Sequence, residues 1–251
     1  MKKILNKKLI ERYSRQIVLK DVGPAGQKKI IKSKVLVVGA GGLGCPVIDY
    51  LSRAGVGNIG IVDRDKVSIS NIHRQSLYNS KDIGRSKVAV LKKKIKLINP
   101  LIKIKIFKER ITKENIEKIF KNYDFIVDGS DNFKTKFLLN KYSLKYKKIL
   151  IVGAISKMDG HIFNFDFKNK TDPCLKCFYQ TEPSDEILNC EYEGILGPVA
   201  GIVGNIQAIQ ILKKILKIGD NSNKKILILD LNKLNFRKVE FKKKTNCICK
   251  N

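Results

Sequence analysis

A glycine cluster near the N-terminus separates a short apolar segment from a helix-forming one, and it constrains the fold more than any other feature. The apolar run at 35–38 is typical of a strand buried on both faces. It leads into Gly39, Gly41 and Gly44 in G-x-G-x-x-G spacing, and a helical segment follows at 45–54. Glycines let the backbone approach phosphates closely at the positive end of a helix. The sequence therefore predicts an α/β fold that binds a nucleotide.

Strand and helix patterns continue to alternate along the chain. Short apolar or alternating runs predict strands at 59–62, 102–107, 125–127 and 149–152, and helical periodicity predicts helices at 86–98, 115–121 and 133–147. Such β-α-β alternation is typical of a Rossmann-like, doubly wound, mostly parallel sheet. Residues 1–33 are expected to form a basic helical lead-in with a turn at Gly23 and Pro24.

The last third of the chain has a different pattern. Residues 161–167 alternate apolar and polar side chains, and 226–229 with 235–241 are expected to form a closing antiparallel pair. A long crossover loop and a helix at 199–218 lie between them. We expect one domain over 1–251, in which 1–170 is the nucleotide-binding part and 171–251 is an antiparallel extension.

Charge and hydropathy limit the classes of partner. Lys plus Arg is 51 against 23 acidic residues, a net charge of +28, but only 8 of the basic residues are Arg. A nucleic-acid surface more often shows Arg interleaved with aromatics, so this excess favours solvated helix faces, and nucleic-acid binding is not expected. Polar residues interrupt the apolar stretch 194–212, which therefore predicts a buried helix. No secretory segment is evident, and we expect a cytoplasmic protein without a membrane partner.

The segment 177–212 contains no Lys or Arg and five acidic residues. It is either a solvated acidic loop followed by a buried helix, or a segment that receives a partner or avoids competing with basic catalytic groups.

Charged residues near the strand ends favour ATP over NAD. Asp63 ends the second strand, where a carboxylate can accept both ribose hydroxyls. Arg74 and Lys87 follow, and such cations offset the charge of a triphosphate under attack, whereas hydride transfer needs few cations. Asp131 follows a further strand, where it could hold Mg²⁺. It or Ser130 could equally cap the following helix.

Six cysteines form two close pairs and two single residues. Cys174 and Cys177 form a C-x-x-C, and Cys247 and Cys249 form a C-x-C. Four thiolates can hold a structural zinc ion, although the tighter second pair strains chelation. Cys190 lies in the polar acidic loop and is either a sulfur-handling thiol or unreactive. The remaining cysteine, Cys45, is expected to pack in the core.

The motifs, taken in order, resemble the ThiF/MoeB/HesA adenylyltransferases, bacterial relatives of ubiquitin-activating enzymes. The resemblance covers nearly the whole chain and rests on Arg12-Tyr-Ser-Arg15-Gln16, the glycine loop at 39–44, Ala54-Gly-Val-Gly57, Ser70-Asn71, Arg74-Gln75, Gly84 with Lys87, Asn99-Pro100, Asp131-Asn132, Cys174 with Cys177, and Gly194-Ile-Leu-Gly-Pro198. The C-x-C pair departs from the C-x-x-C that the family usually has.

The resemblance implies an activity and a set of site residues. Members bind Mg-ATP and adenylate the C-terminal Gly-Gly carboxylate of a small ubiquitin-like sulfur carrier, which releases pyrophosphate. The implied roles are nucleotide binding by the glycine loop including Gly42, ribose binding by Asp63, phosphate positioning by Asn71 and Gln75, phosphate stabilisation by Arg74 and Lys87, Mg²⁺ binding by Asp131, and uptake of the activated carboxylate or its sulfur by Cys190.

The same resemblance implies a homodimer, in which Arg15 reaches the partner subunit's ATP site. Because no sulfurtransferase domain is recognised in the sequence, the sulfur donor is expected to be a separate protein. The carrier could belong to molybdopterin or to thiamine-thiazole synthesis. Three alternatives stay open: adenylation of a tRNA-modification carboxylate, an NAD-dependent oxidoreductase, and a non-catalytic interaction subunit.

Overall fold

The computed structural model describes residues 5–183, 194–220 and 222–249. Its centre is an eight-stranded sheet with the order β3-β2-β1-β4-β5-β6-β7-β8. The strands are β1 (Lys34–Val38), β2 (Asn58–Val62), β3 (Lys103–Phe107), β4 (Phe125–Asp128), β5 (Ile149–Ser156), β6 (Asp159–Asp166), β7 (Lys225–Asp230) and β8 (Asn235–Glu240). The helices are α1 (Lys7–Arg12), α2 (Ser14–Ile17), α3 (Gly23–Lys32), α4 (Gly44–Ala54), α5 (Lys87–Ile98), α6 (Ile116–Phe120), α7 (Phe133–Lys145), α8 (Leu175–Phe178) and α9 (Gly197–Leu216).

Strands β1 to β5 are parallel, and the chain order reverses between β1 and β4. Helices α3, α4, α5 and α9 contribute apolar side chains to the core on one face, and α6, α7 and α8 contribute to the core on the other. Because helices cover both faces, the central strands are buried on both sides, which explains their continuous apolar sequence. This confirms the predicted doubly wound α/β fold.

The antiparallel extension is confirmed as well. Strand β6 pairs with β5 and β7, and β7 pairs with β8. Strand β5 continues to Ser156, four residues beyond the predicted end. The reason is its pairing with β6 along all eight residues through a hairpin at Lys157, whose φ is +52°.

The lead-in differs from the prediction at Gly23 and Pro24. These residues begin helix α3 and do not form a simple turn between helices. Gly23 has a φ of +54°, and proline is tolerated in the first helical turn because its missing N–H has no partner there.

Helix α9 is long and apolar enough to cross a membrane. Half of its most apolar stretch of 18 residues is buried within the molecule. It packs against α4 and against strands β5 and β6. Val203 and Ala208 are buried there, whereas Ile202 and Ile209 are exposed.

Candidate active site

A cavity of about 400 Å³ lies at the carboxyl ends of the parallel strands, where the chain order reverses between β1 and β4. Ligands of open α/β sheets bind at this position. The residues predicted from the sequence that line it are Gly39, Gly41, Gly42, Asp63, Arg74, Gln75, Lys87 and Asp131. The fold therefore brings residues from five separate segments into one site.

The glycine loop is shaped by close backbone contacts. Gly39 has a φ of +95°, and a Cβ atom there would lie 2.5 Å from the carbonyl oxygen of Gly129. A Cβ atom on Gly44 would collide with the carbonyl oxygen of Gly39. These positions require glycine because any side chain would push the loop away from the helix N-terminus. Gly44 thus serves the turn and does not line the cavity.

Asp63 directly follows β2 at the cavity wall. Its Oδ2 accepts a hydrogen bond from the Ala40 backbone at 2.8 Å, and its Oδ1 accepts one from the Asp65 backbone, also at 2.8 Å. Burial raises the pKa of the Asp63 carboxyl above its ordinary value, and the nearby Lys87 ammonium opposes that shift. The two backbone donors fix the carboxylate and leave acceptor capacity for hydroxyl groups of a ligand.

Two cations reach the cavity from different loops. Lys87 opens α5, its side chain is 6 % exposed, and its Nζ lies 3.0 Å from Oδ2 of Asp65. Arg74 donates from Nη1 to the carbonyl oxygen of Ser70 at 2.7 Å, and the same nitrogen lies 2.8 Å from Nε2 of His73. Both cations are therefore held in place by contacts within the protein.

Gln75 is buried in the cavity wall. Its Oε1 has no hydrogen-bond partner among the described residues, and its Nε2 lies 3.7 Å from the position a Cβ atom on Gly41 would take. A buried polar atom without a partner is costly unless a ligand or water supplies one. Gln75 therefore fits a polar ligand on the glycine loop.

Asn71 does not line the cavity with its side chain. Its Oδ1 accepts a hydrogen bond from the Ser68 backbone at 3.2 Å, which caps its own turn. Its carbonyl oxygen accepts hydrogen bonds from the backbone of Arg74 at 3.1 Å and of Gln75 at 2.9 Å. In this structure Asn71 holds the turn that carries those two residues.

Asp131 is exposed at the mouth of the cavity, in the loop between β4 and α7. An ion pair that the sequence analysis missed lies beneath this loop. Nζ of Lys136 lies 3.3 Å from Oδ2 of Asp128, and it donates to the carbonyl oxygens of Ser130 and Gly153, both at 2.7 Å. Among so many lysines, nothing in the sequence distinguishes Lys136 from a surface residue.

Further charged residues that line the cavity were also missed. Arg64 and Asp65 follow Asp63 directly, and Glu109 and Arg110 follow β3. Their position just after parallel strands was a usable signal, since such residues meet at one edge of the sheet.

Arg15 lies outside this cavity. It lines a second cavity of about 550 Å³ between the N-terminal helices, α4 and α9, which also includes Tyr50, Ile209 and Leu212. Cys190 lies outside the described residues. Of the predicted catalytic residues, the cavity therefore unites Arg74, Lys87 and Asp131.

The four paired cysteines come together on the opposite side of the sheet from α9. The sulfur atoms of Cys174, Cys177, Cys247 and Cys249 all lie within 4.8 Å of one another, and all four residues are buried. Two sulfur–sulfur distances, Cys174 to Cys247 and Cys177 to Cys249, are 3.4 Å. The C-x-C pair thus reaches the C-x-x-C pair, and the cluster has the composition of a four-thiolate zinc site. Cys45 is separate and buried, as predicted.

Comparison with known proteins places the chain in a family. The model of the ThiF family matches residues 13–250. The chain belongs to the ThiF family. It is 38 % identical over 245 residues to a sulfur carrier protein adenylyltransferase of Thermus thermophilus, an alignment that covers 96 % of this chain and 90 % of the relative. It is also 36 % identical over 236 residues to a probable molybdopterin-synthase adenylyltransferase of Gracilaria tenuistipitata. That alignment covers 94 % of this chain and 66 % of the relative.

Other relatives are longer than this chain. The adenylyltransferase and sulfurtransferase MOCS3 of Dictyostelium discoideum is 42 % identical over 205 residues, which is 81 % of this chain and 48 % of that protein. The chain therefore spans about half the length of this relative. Its ThiF-family membership and these relatives identify it as an adenylyltransferase.

A solved structure of Escherichia coli MccB with MccA-N7isoASN superposes with a TM-score of 0.84, covering 98 % of this chain and 76 % of that one. Their sequence identity is 22 %, so this likeness supports the Rossmann-like fold.

Proposed function

We propose that this ThiF-family enzyme adenylates the C-terminal Gly-Gly carboxylate of a ubiquitin-like sulfur carrier of the molybdopterin or thiazole type. The observation that carries the proposal is the grouping of Asp63, Arg74, Lys87 and Asp131 in one cavity beside the glycine loop. This set provides a hydroxyl acceptor, two cations and an acidic metal ligand, which suits Mg-ATP better than a nicotinamide nucleotide.

The proposed reaction needs no general base. A carboxylate oxygen of the carrier attacks the α-phosphorus of ATP and forms a new P–O bond. The bond from the α-phosphorus to the bridging oxygen breaks, and its electron pair leaves with pyrophosphate. The attacking carboxylate is already ionised at neutral pH, so no proton has to be removed.

The barrier that remains comes from bringing an anion to a polyanion. Arg74 and Lys87 lower it by neutralising phosphate charge, and their fixed positions mean that little reorganisation is needed. Asp63 holds the ribose end of the nucleotide. Asp131 is the residue that would hold Mg²⁺, and this ion supplies further charge neutralisation when it is bound.

The four-cysteine cluster would hold a structural zinc ion. Its thiols are buried, and they join the segment at α8 to the C-terminal residues 247–249. Four protein ligands leave no open coordination position, so its role is to fix these two segments together.

A homodimer, a cytoplasmic location, a single domain and a separate sulfur donor are further parts of the proposal. The second cavity supports the dimer: it is largely apolar, Tyr50 and Ile209 are exposed beside it, and Arg15 lies among its residues. In such a dimer Arg15 would reach the ATP site of the partner subunit, and Cys190 would take up the activated carboxylate or its sulfur.

Intact-mass spectrometry of two carriers tests the proposal. A molybdopterin-type and a thiazole-type carrier, each with a terminal Gly-Gly, are incubated with the enzyme and Mg-ATP, with a carrier lacking the last glycine as the matched control. One carrier should gain the mass of AMP, which also identifies the pathway. If neither competent carrier changes, the carrier assignment is wrong, and a tRNA-modification carboxylate becomes the next substrate to assay.

A further inference from the structure

The first turn of helix α9 lies directly against the backbone of the loop that carries Arg74. A Cβ atom on Gly197 would lie less than 3.0 Å from the carbonyl oxygen of His73, closer than real Cβ atoms come, and 3.3 Å from Cα of Arg74. Gly197 has an ordinary helical position, so backbone conformation does not explain the glycine. The absence of a side chain is what lets the loop sit at this distance.

The same helix face also contacts the glycine loop. A Cβ atom on Gly42 would lie 3.0 Å from Cβ of Ala200 and 3.8 Å from Cδ of Arg74. One turn further along the helix, a Cβ atom on Gly204 would approach the carbonyl oxygen of Leu43 at 2.6 Å. Gly197, Ala200 and Gly204 lie on one face of α9. This face thus contacts the Arg74 loop and the glycine loop, both of which line the nucleotide cavity.

We propose that Gly197 is a positioning residue for adenylation, which sets the place of the Arg74 guanidinium by letting the backbone of residues 73 and 74 rest against α9. This inference rests on the proposed function, since it acts through Arg74 on bound phosphate. The guanidinium is tied to its own loop through Ser70 and His73, so a displaced loop carries it along. A side chain on Gly197 therefore moves a cation of the active site without touching the nucleotide.

Gly197→Ala tests this assignment, and Gly201→Ala is its matched control. Gly201 lies one turn further along the same helix, and apart from its chain neighbours and the backbone of its own helix, no described atom lies within 4 Å of the Cβ position there. Displacing a catalytic group by a fraction of an ångström to 1 Å lowers rates by roughly 10- to 100-fold. We expect Gly197→Ala to weaken Mg-ATP binding in calorimetry and to lower kcat/KM for adenylation about 10-fold or more, and Gly201→Ala to stay within about twofold of the wild type.

A double-mutant cycle with Arg74→Ala separates positioning from general damage. If Gly197 acts through Arg74, adding Gly197→Ala to Arg74→Ala should change Mg-ATP affinity and rate little further, because the displaced group is already gone. An equal loss in both backgrounds, or a Gly197→Ala variant indistinguishable from Gly201→Ala, would overturn the proposal.

Mg-ATP affinity requires no carrier, so this test still decides the role of Gly197 if every carrier fails to react and the proposed function falls. If Gly197→Ala does not fold, His73→Ala replaces it, because it removes a side-chain contact that ties the Arg74 guanidinium to the loop resting on Gly197. Weaker Mg-ATP binding with an unchanged circular dichroism spectrum is expected, and wild-type affinity would show that this loop does not set the place of the guanidinium.

Discussion

Lys136 and Asp128 form an ion pair beneath the active site in which both side chains are withdrawn from solvent, with exposed fractions of 1 % and 0 %. The lysine also donates to the carbonyl oxygens of Ser130 and Gly153. One ammonium thus joins the end of β4 and the middle of β5 to the loop that carries Asp131. Ser130 also donates to Asp128 through its backbone N–H and its hydroxyl, but among the described residues Lys136 is the only cation paired with this carboxylate. The charge of Asp128 is therefore balanced by the lysine.

Lys136→Met should destabilise the protein by about 3–5 kcal/mol, because it leaves the Asp128 carboxylate buried without its partner. Chemical denaturation measures this change. Lys134→Met is the control: Lys134 is exposed on the same helix, and we expect a change within about 0.5 kcal/mol.

The pH dependence of that loss checks its cause. Burial raises the pKa of Asp128, and Lys136 opposes the shift, so removing the lysine raises this pKa further. A group whose pKa is raised in the folded state binds a proton more readily there, which favours folding as the pH falls. The deficit of Lys136→Met should therefore shrink on acidification. A deficit that is constant with pH would point to lost packing only.

Lys87→Ala and Arg74→Ala should each lower the adenylation rate by about 10- to 1000-fold, because each removes a positioned cation from the phosphates. Pyrophosphate release in single-turnover experiments measures the rate. Lys93→Ala, an exposed lysine on the same helix α5, controls for the loss of general positive charge. Normal adenylation by either active-site variant would refute the assignment.

The affinity for a nucleoside should fall on acidification, and the fall should begin at a higher pH than the pKa of an ordinary carboxyl group would give. Burial raises the pKa of Asp63, so its carboxylate is protonated at a higher pH than an exposed aspartate and then loses acceptor capacity for the ribose. Titrating adenosine between pH 7 and 4.5 measures the effect without phosphate ionisation. Asp63→Asn should bind adenosine weakly, and its affinity should not fall further on acidification. If the affinity of this variant falls with pH as in the wild type, the titrating group is not Asp63.

Replacing Cys249 by serine should remove bound zinc and lower the melting temperature. The remaining three sulfur ligands cannot complete a closed tetrahedral site, and the two segments that the cluster joins lose their link. Elemental analysis and thermal unfolding measure both effects. Cys45→Ala also removes one buried thiol but lies outside the cluster, so its zinc content should equal that of the wild type.

Arg15→Ala and Lys87→Ala should complement each other when mixed. If Arg15 acts in the partner subunit's site, each heterodimer contains one intact and one doubly altered site. Random exchange then restores about a quarter of wild-type activity from two nearly inactive proteins. If native mass spectrometry verifies subunit exchange but no activity returns, Arg15 does not act in the partner subunit's site. It then acts in the site of its own subunit or has no part in catalysis.

The sequence alone determined the fold class and much of the candidate nucleotide site. Parallel strands that are buried on both faces have continuous apolar sequences, so β1, β2 and β4 could be located without structural information. Glycine spacing after β1 and a carboxylate after β2 specify adjacent positions, because parallel strands end at one edge of the sheet. The resemblance to ThiF motifs then suggested the roles that we propose for Arg74, Lys87 and Asp131, which local patterns by themselves left open.

Only the tertiary structure decided which contacts hold these groups. The Lys136–Asp128 pair, the cluster of four cysteines from segments about seventy residues apart, and the contact between Gly197 and the Arg74 loop all join positions distant in the chain. Local propensity and periodicity report how a residue relates to its near neighbours. Burial of a particular lysine, or the need for glycine where two backbones meet, depends on how the elements pack, and no single segment of the sequence contains that information.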